Sequence, residues 1–275
     1  MNKYYVENLI KTAILEDCPY IDLTTDNTIE PESVSTARLI AKADGIIAGL
    51  DIALRVFTML DEKCRTDALT ADGTYVKEGE ALASIRGRTR DLLKGERTAL
   101  NILQHMSGVA TATHALVREI EGTNARIVDT RKTLPGLRPI EKYAVCCGGG
   151  KNHRFSLSDA VMLKDNHIDA SGGIESSVSR LRERLGHTVK IEVETRNLDE
   201  VEQAVSSGAD IIMLDNMTPE VMKDAVALVG GRALCEASGN VELHNVRQIA
   251  ETGVDIISVG AVTHSVTALD ISMRF

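Results

Sequence analysis

From Ala125 onward the chain repeats one unit: a short apolar run followed by a stretch with helical spacing. The runs are residues 127–129, 161–163, 191–193, 211–214, 233–235 and 256–259. Runs this short and this apolar predict parallel strands buried on both faces. Between them, Ile174, Val178, Leu181 and Leu185 form one helical stripe, and Leu198, Val201, Ala204 and Val205 another. Asn197 followed by Glu200 is a capping-box pattern, and Thr218-Pro219 is an N-cap followed by proline at the first helical position. Gly208 and Gly230 fall where helices end in glycine. β-α units recurring every roughly 20–35 residues predict a parallel α/β barrel or an open doubly wound sheet. No Gly-x-Gly-x-x-Gly follows the first strand and no phosphate-loop Gly-Lys-Ser/Thr occurs. Their absence argues against a dinucleotide fold and a nucleoside triphosphatase, and favours the barrel.

The N-terminal third has a different texture. Val6, Leu9, Ile10, Ala13 and Ile14 predict a first amphipathic helix, ended by Pro19 and the polar run after it. Residues 37–43 alternate weakly, as a half-buried strand does, and residues 45–60 read as a turn and a helix. Short strands are expected at 64–69 and 81–85, joined by a glycine-bounded turn at 73–80 like the hairpins of small lipoyl-type sheets. Lys77 at its tip reads as a solvated turn lysine rather than a carrier. Residues 90–105 predict a long helix, Gly108 is expected to break it, and a second helical run covers 110–120. The change from mixed short strands to regular β-α alternation places a domain boundary near Ser107.

A formal net charge of -9 hides one cationic stretch. Between Arg131 and Lys164 lie seven Lys/Arg and only two acids, Glu141 and Asp159. Cations gathered locally in an acidic protein point to an anion site rather than a nucleic-acid coat. With no Trp and three Phe, a stacking platform for single strands is also disfavoured. No apolar run approaches the ~20 residues of a membrane span, so no membrane partner is expected. The polar N-terminus does not read as a signal peptide, and five cysteines without framework spacing suggest a reducing cytoplasm. The adjacent Cys146 and Cys147 read as buried small residues near a helix end.

In a barrel, the carboxyl ends of the strands line the site. Reading off each end gives Arg131 and Lys132, Lys164, Glu194, Asp215, Ser238-Gly239-Asn240 and Gly260. Early strands supply cations, middle strands carboxylates, and late turns the small residues of a phosphate cradle. Singly, each has an ordinary reading. Glu194 fits a salt-bridge partner, Asp215 a helix cap, 238–240 a turn, and Arg97 a surface arginine. Six strand ends with matching chemistry favour a site.

At these residues the sequence resembles the quinolinate phosphoribosyltransferase family, over essentially its whole length. The likeness is densest in Glu96-Arg-Thr-Ala-Leu-Asn101, Asp129-Thr-Arg-Lys-Thr133, Pro135-Gly-Leu-Arg138, Glu141-Lys-Tyr-Ala144, Cys147-Gly-Gly-Gly150 and Asn152-His-Arg154. It continues through Leu163-Lys-Asp-Asn-His167, Ile191-Glu-Val-Glu194, Leu214-Asp-Asn216, Glu236-Ala-Ser-Gly239 and Ile257-Ser-Val-Gly260. Asn240 stands where many members carry a second glycine and reads as tolerated variation. The resemblance implies an N-terminal open-faced α/β sandwich, residues 1–107, then an incomplete parallel α/β barrel of the TIM type, residues 108–267. The tail 268–275 is expected to pack on the first domain. It also implies a homodimer in which each barrel is completed by the neighbour's N-terminal domain.

The activity implied is transfer of phosphoribosyl from phosphoribosyl pyrophosphate to quinolinate with decarboxylation, giving nicotinate mononucleotide, pyrophosphate and CO2. The resemblance assigns quinolinate to Arg131, His153 and Arg154, with Arg97 from the partner subunit. It assigns phosphoribosyl pyrophosphate to Lys132, Lys164, Glu194, Asp215, Ser238, Gly239, Asn240 and Gly260. Mg²⁺ falls to Glu194 and Asp215. Three rivals stay open at the level of sequence: a related phosphoribosyltransferase acting on another base such as nicotinate, a Schiff-base aldolase using Lys164, and a non-catalytic metabolite-binding protein.

Overall fold

The spacing from Val6 to Ile14 is realised as helix α1 (Lys3–Asp17) in the computed structural model, which describes residues 1–275. Asn2 caps it by accepting from the Tyr4 N–H at 2.9 Å. After the single turn α2 (Thr25–Thr28) come β1 (Val34–Ala41), β2 (Gly45–Ile46), α3 (Leu50–Leu60), β3 (Arg65–Ala68), β4 (Tyr75–Val76), β5 (Ala81–Arg88) and the long helix α4 (Thr89–Glu119). The rest of the chain forms β6 (Arg126–Val128), α5 (Arg138–Cys147), β7 (Val161–Leu163), α6 (Asp165–Ser171), α7 (Ile174–Arg184), β8 (Ile191–Thr195) and α8 (Leu198–Ser206). It ends in β9 (Ile211–Asp215), α9 (Pro219–Val229), β10 (Leu234–Ser238), α10 (Val246–Ala250), β11 (Ile256–Ser258), α11 (Ala261–His264) and β12 (Ile271–Arg274).

These elements divide into two units. The first takes Met1–His114, Pro139–Gly149 and Ser265–Phe275, and the second takes Ala115–Arg138 and Gly150–His264. The first holds an antiparallel sheet of order β12-β1-β5-β3. β1 turns Ala37, Leu39 and Ala41 inward, as its alternation predicts. The C-terminal strand β12 completes the edge, with Met273 opposite Leu39. β3 and β5 pair as expected, but the segment between them is more than a turn, because its strand β4 pairs with β2 instead. Lys77 is exposed there, and its carbonyl accepts from the Glu80 N–H at 3.1 Å. Asp72 accepts from the Gly49 and Leu50 N–H groups at 2.9 and 3.0 Å and so starts α3.

Gly108 does not break the helix it was expected to end. α4 runs through it, and the reason is a close approach: a Cβ at Gly108 would lie 2.3 Å from the Thr267 carbonyl oxygen. The glycine serves the contact with the C-terminal tail rather than a chain reversal. The cysteine pair also differs from expectation. It does end helix α5, but Cys146 is exposed and Cys147 half-buried.

The second unit is a six-stranded, wholly parallel sheet of order β6-β11-β10-β9-β8-β7. β6 and β7 are its two edges, so the ring of a full barrel is not closed by strand pairing. On the free side of β6, Lys151 forms a parallel bridge to Val128, its N–H donating to the Ile127 carbonyl at 2.9 Å. This is an incomplete α/β barrel. The core is aliphatic, with Ile127, Val193, Ile212, Leu214, Ala237 and Ile257 at 0–1 % exposure. Each large side chain buried this way contributes ~1.5–3 kcal/mol over leaving it in water. The helix ends match the sequence signals: Asn197 accepts from the Glu200 N–H at 2.9 Å, Thr218 precedes Pro219 in α9, and Gly230 is left-handed. The Glu200 carboxylate does not complete the reciprocal half of a capping box; it takes the Arg196 N–H at 2.7 Å.

Candidate active site

Parallel strands send alternate side chains to the same face. Met162 and Lys164, Glu192 and Glu194, Met213 and Asp215, and Glu236 and Ser238 are therefore four same-face pairs at the ends of β7, β8, β9 and β10. The ladder sets them side by side: Glu194 faces Met213, Asp215 faces Ser238, and Ser238 faces Ser258. They converge on a cavity of about 540 Å³ in the second unit. Its lining brings together Arg131, Lys132, His153, Arg154, Lys164, Glu194, Asp215, Ser238, Gly239 and Asn240. Thr130, Met162, Met213, Asn216, Glu236 and Ser258 complete it. The volume suits a small-molecule ligand.

Two residues from the sequence reading are not in that lining. Gly260 lies behind Lys132; a Cβ on it would meet Lys132 Cδ at 3.0 Å and His264 Nε2 at 3.1 Å. Arg97 is exposed on α4, in the first unit. A smaller cavity of about 310 Å³ in the first unit is lined by Glu7, Arg55, Asp72 and Tyr143 among others. Its polar groups already satisfy one another, through Arg55 to Glu7 at 2.7 Å and Tyr143 to Asp72 at 2.9 Å.

The cations of the main cavity are held by loops, and the loops by hydrogen bonds. Asp129 is fully buried and accepts from the His153 N–H at 2.9 Å and the Asn152 amide at 2.6 Å. Arg138 donates to the Thr133 hydroxyl at 3.0 Å, the Phe155 carbonyl at 2.9 Å and the Arg131 carbonyl at 3.3 Å. One arginine thus ties together the two loops that carry Arg131 and Arg154. Arg154 donates to the Ala160 carbonyl at 2.8 Å. Burial, and then repulsion from Arg131, lower its pKa from the ordinary arginine value. Two guanidinium groups that repel one another form a receptor for an anion able to bridge them. Lys164 is half exposed, and its ammonium lies 3.2 Å from Glu194. The Thr263 hydroxyl anchors the Lys132 carbonyl at 2.7 Å.

Beneath the cations lie two acids. Glu192 and Glu236 are 2 % and 1 % exposed, on β8 and β10. His153 reaches between them across β9, its Nε2 at 3.1 Å from Glu192 and 3.4 Å from Glu236. Burial alone would lower the imidazole pKa, but hydrogen bonding to Glu192 and then Glu236 outweighs it and pushes the value up to about 10. The Arg154 N–H, 2.7 Å from Nδ1, opposes a second ring proton. The two carboxylates at ion-pair distance favour the second ring proton, and the amide disfavours it. Burial raises the Glu192 carboxyl pKa, His153 pulls it back and Glu236 pushes it up again; the net direction is up. The three ligand-type atoms lie within 4.8 Å of one another, a spacing that a metal site also shows, yet the ring-to-carboxylate contacts are those of an ion pair.

The family models named "Quinolinate phosphoribosyl transferase, N-terminal domain" and "Quinolinate phosphoribosyl transferase, C-terminal domain" match residues 22–107 and 109–274. The chain belongs to the quinolinate phosphoribosyltransferase family. It is 42 % identical over 273 residues to a Bacillus subtilis protein named probable nicotinate-nucleotide pyrophosphorylase (carboxylating), covering 99 % of this chain and 94 % of that one. It is 41 % identical over 290 positions to the chloroplastic nicotinate-nucleotide pyrophosphorylase (carboxylating) of Arabidopsis thaliana, covering 98 % and 83 %. The crystal structure of NadC from Streptococcus pyogenes has the same fold, with TM-score 0.97 at 39 % identity, covering 100 % of this chain and 97 % of that one.

Within this quinolinate phosphoribosyltransferase fold, sequence reading took Glu194 and Ser238 as site residues and passed over Glu192 and Glu236. The signal was present: each lies two positions before a site residue on the same strand, hence on the same face. An acid inside a buried apolar run marks the interior of a barrel as functional. Asn216, next to Asp215, was likewise passed over. In the structure it is one of two non-glycine residues with positive φ, the other being Asn240.

Proposed function

We propose that the chain transfers the phosphoribosyl group of phosphoribosyl pyrophosphate to quinolinate with decarboxylation, yielding nicotinate mononucleotide, pyrophosphate and CO2, a step of NAD biosynthesis. The observation that carries this reading is one cavity that gathers four cations, Arg131, Lys132, Arg154 and Lys164, with two carboxylates at its strand ends, Glu194 and Asp215. A rigid dicarboxylate and a pyrophosphate ester both need such cations, and ribose hydroxyls need the acids as acceptors. Relatives that align over nearly the whole chain carry this activity in their names.

In this reading the guanidinium groups of Arg131 and Arg154 take the two quinolinate carboxylates, and His153 offsets the negative charge of the two acids beneath them. Lys132 and Lys164 take the pyrophosphate, Lys164 exchanging its contact with Glu194 for the ligand. Backbone donors of Ser238, Gly239 and Asn240, with Gly260 behind Lys132, face the 5′-phosphate. The bond from C1′ to the pyrophosphate oxygen breaks with its electron pair leaving on oxygen, and the pyridine nitrogen forms the new bond to C1′. The nitrogen is then cationic. The bond between C2 and its carboxylate breaks, CO2 departs, and the electron pair left on C2 takes up a proton. Positioning and fixed charge account for the protein's part.

Glu194 and Asp215 are hard oxygen donors on adjacent strands, a set that suits Mg²⁺ sharing its remaining positions with water and phosphate oxygens. When bound there, Mg²⁺ would neutralise charge on the departing pyrophosphate. Arg97, exposed on the first unit, would complete the quinolinate site of a partner subunit in a homodimer. Five cysteines, all free, fit a reducing cytoplasm.

Purified protein supplied with quinolinate, phosphoribosyl pyrophosphate and Mg²⁺ should form nicotinate mononucleotide and CO2 in equal amounts, and EDTA should stop both. A folded protein that forms neither, or that turns over nicotinate in place of quinolinate, overturns the reading. For the shared site, Arg97→Ala and Arg131→Ala proteins, each inactive alone, should regain about a quarter of wild-type activity per subunit when exchanged into mixed dimers, a value from binomial pairing of sites. Proven exchange without recovery rules it out.

A further inference from the structure

Only two non-glycine residues in the chain have a left-handed backbone, Asn216 with φ 53° and Asn240 with φ 50°. They face each other across the cavity wall. The Asn240 amide donates to Asn216 Oδ1 at 3.1 Å, and the Asn216 amide donates to Asp215 Oδ2 at 2.7 Å. Two further bonds fix the backbone of the pair. The Asn216 N–H donates to the Ser238 carbonyl at 2.9 Å, and the Asn245 amide donates to the Asn240 carbonyl at 2.9 Å. We propose that Asn216 and Asn240 are positioning residues that form an amide relay, locking the Asp215 carboxylate in the orientation that receives the ribose and Mg²⁺ end of phosphoribosyl pyrophosphate. This deepens the function proposed above and rests on it.

The direction of the relay is dictated by chemistry. An ionised carboxylate only accepts, so Asn216 must turn its NH2 to Asp215; its oxygen then faces Asn240, which must offer NH2 in turn. Each amide has one orientation that works. One acceptor site of Asp215 Oδ2 is thereby used and the carboxylate plane is fixed, which turns Oδ1 to a ligand. The left-handed backbone is what brings two short side chains into line, and Asn tolerates it better than other non-glycine residues. Gly239 leaves the space through which the relay passes: a Cβ there would lie 2.1 Å from Asn216 Oδ1. Asn240, read from sequence as tolerated variation, has a defined task in this chain.

The test uses glycine, which keeps the left-handed backbone and removes only the amide. Calorimetric affinity for phosphoribosyl pyrophosphate with Mg²⁺, and the KM of each substrate, are measured for wild type, Asn216→Gly, Asn240→Gly and the double variant. Asn216→Gly should weaken phosphoribosyl pyrophosphate about thirtyfold, the loss of one hydrogen bond to a charged group, with the quinolinate KM within about twofold. Asn240→Gly should weaken it about threefold. Because the relay acts in series, the double variant should match Asn216→Gly rather than multiply the two losses. Unchanged affinity in Asn216→Gly, multiplied losses, or equal rises in both KM values would each overturn the relay while leaving the proposed function standing. A wild-type protein that binds no phosphoribosyl pyrophosphate would instead remove the proposed function, and the relay with it.

Discussion

Polar groups inside the two units do different work. In the first unit several of them complete the backbone, beside one buried side-chain pair, His105 with Glu141 at 2.9 Å. The Ser107 hydroxyl accepts from the Ala48 N–H at 3.1 Å, the Thr111 hydroxyl from the Ile46 N–H at 2.9 Å, and Asp72 from the first two N–H groups at the start of α3. Each satisfies a donor that folding would otherwise strand. In the second unit, Glu192 and Glu236 are buried as deeply as the apolar core, yet the Oε1 atom of each has no hydrogen-bond partner. An unsatisfied buried carboxylate oxygen costs about 1–3 kcal/mol or more, so a fold retains two of them only against a compensating gain. Here the compensation is a histidine lying between them at the floor of a ligand cavity. The first unit turns most of its buried polarity to its own backbone, and the second directs its two buried acids at a cavity.

If that contrast is correct, substitutions in the two units should fail in different ways. The largest effect should come from the second. Arg131→Ala removes one of the two guanidinium groups proposed to take the dicarboxylate, and it should cut kcat/KM for quinolinate about a thousandfold. Because Arg131 is exposed, the thermal midpoint should stay within about 2 °C. Steady-state kinetics beside a melting curve decide it: a loss below tenfold, or a collapse in stability, would blur the distinction between the units.

The complementary substitution belongs to the first unit. Gly108→Ala places a methyl in the middle of α4, where helix propensity alone would gain about 1 kcal/mol. The same methyl would lie 2.3 Å from the Thr267 carbonyl oxygen and 3.0 Å from Ala268 Cα, both backbone atoms with little room to yield. Overpacking of this kind costs ~1–3 kcal/mol or more and should win. The expected result is a midpoint lower by about 5 °C, with faster amide exchange in β12, the strand that the tail carries to the edge of the sheet. A variant more stable than wild type would mean that the tail moves aside freely.

Gly108 also shows where sequence reading reached its limit. A glycine within a helical pattern has two meanings, a stop or a close approach, and only the position of Thr267, far along the chain, separates them. The strands of the second unit were legible because short apolar runs between amphipathic stripes have few other uses, and their ends named most of the cavity. The His153 ion pairs were not legible: the partners lie on β8 and β10, 39 and 83 residues away by subtraction of their numbers, and no local pattern records which strands flank which. The assignment of residues 139–149 to the first unit was hidden for the same reason. Local chemistry was read correctly at Asn197, but the bond that Glu200 makes to Arg196 instead of the cap depended on side-chain geometry.

The smallest effect expected is also the one that tests the buried acids directly. His153 has its pKa raised from 6.5 to about 10, so its contribution to stability is fully present below pH 6.5 and is lost as pH rises through about 10. Replacing it by asparagine removes the charge and keeps a polar side chain. At pH 7 wild type should melt higher than His153→Asn by about 4 °C. Other groups titrate in alkali, but they do so in both proteins, and the difference between the two curves isolates the ring. That difference should shrink progressively from about pH 6.5 and approach zero near pH 10, the window between the ordinary and the raised imidazole pKa, as the folded state gives up the proton that pairs with Glu192 and Glu236. A difference that stays constant over this range would mean the ring is neutral at pH 7, with Nδ1 accepting the Arg154 N–H as it is placed to do. Glu192 would then owe its charge compensation to Arg154, and the cavity's cations would be Arg131, Lys132, Arg154 and Lys164 alone.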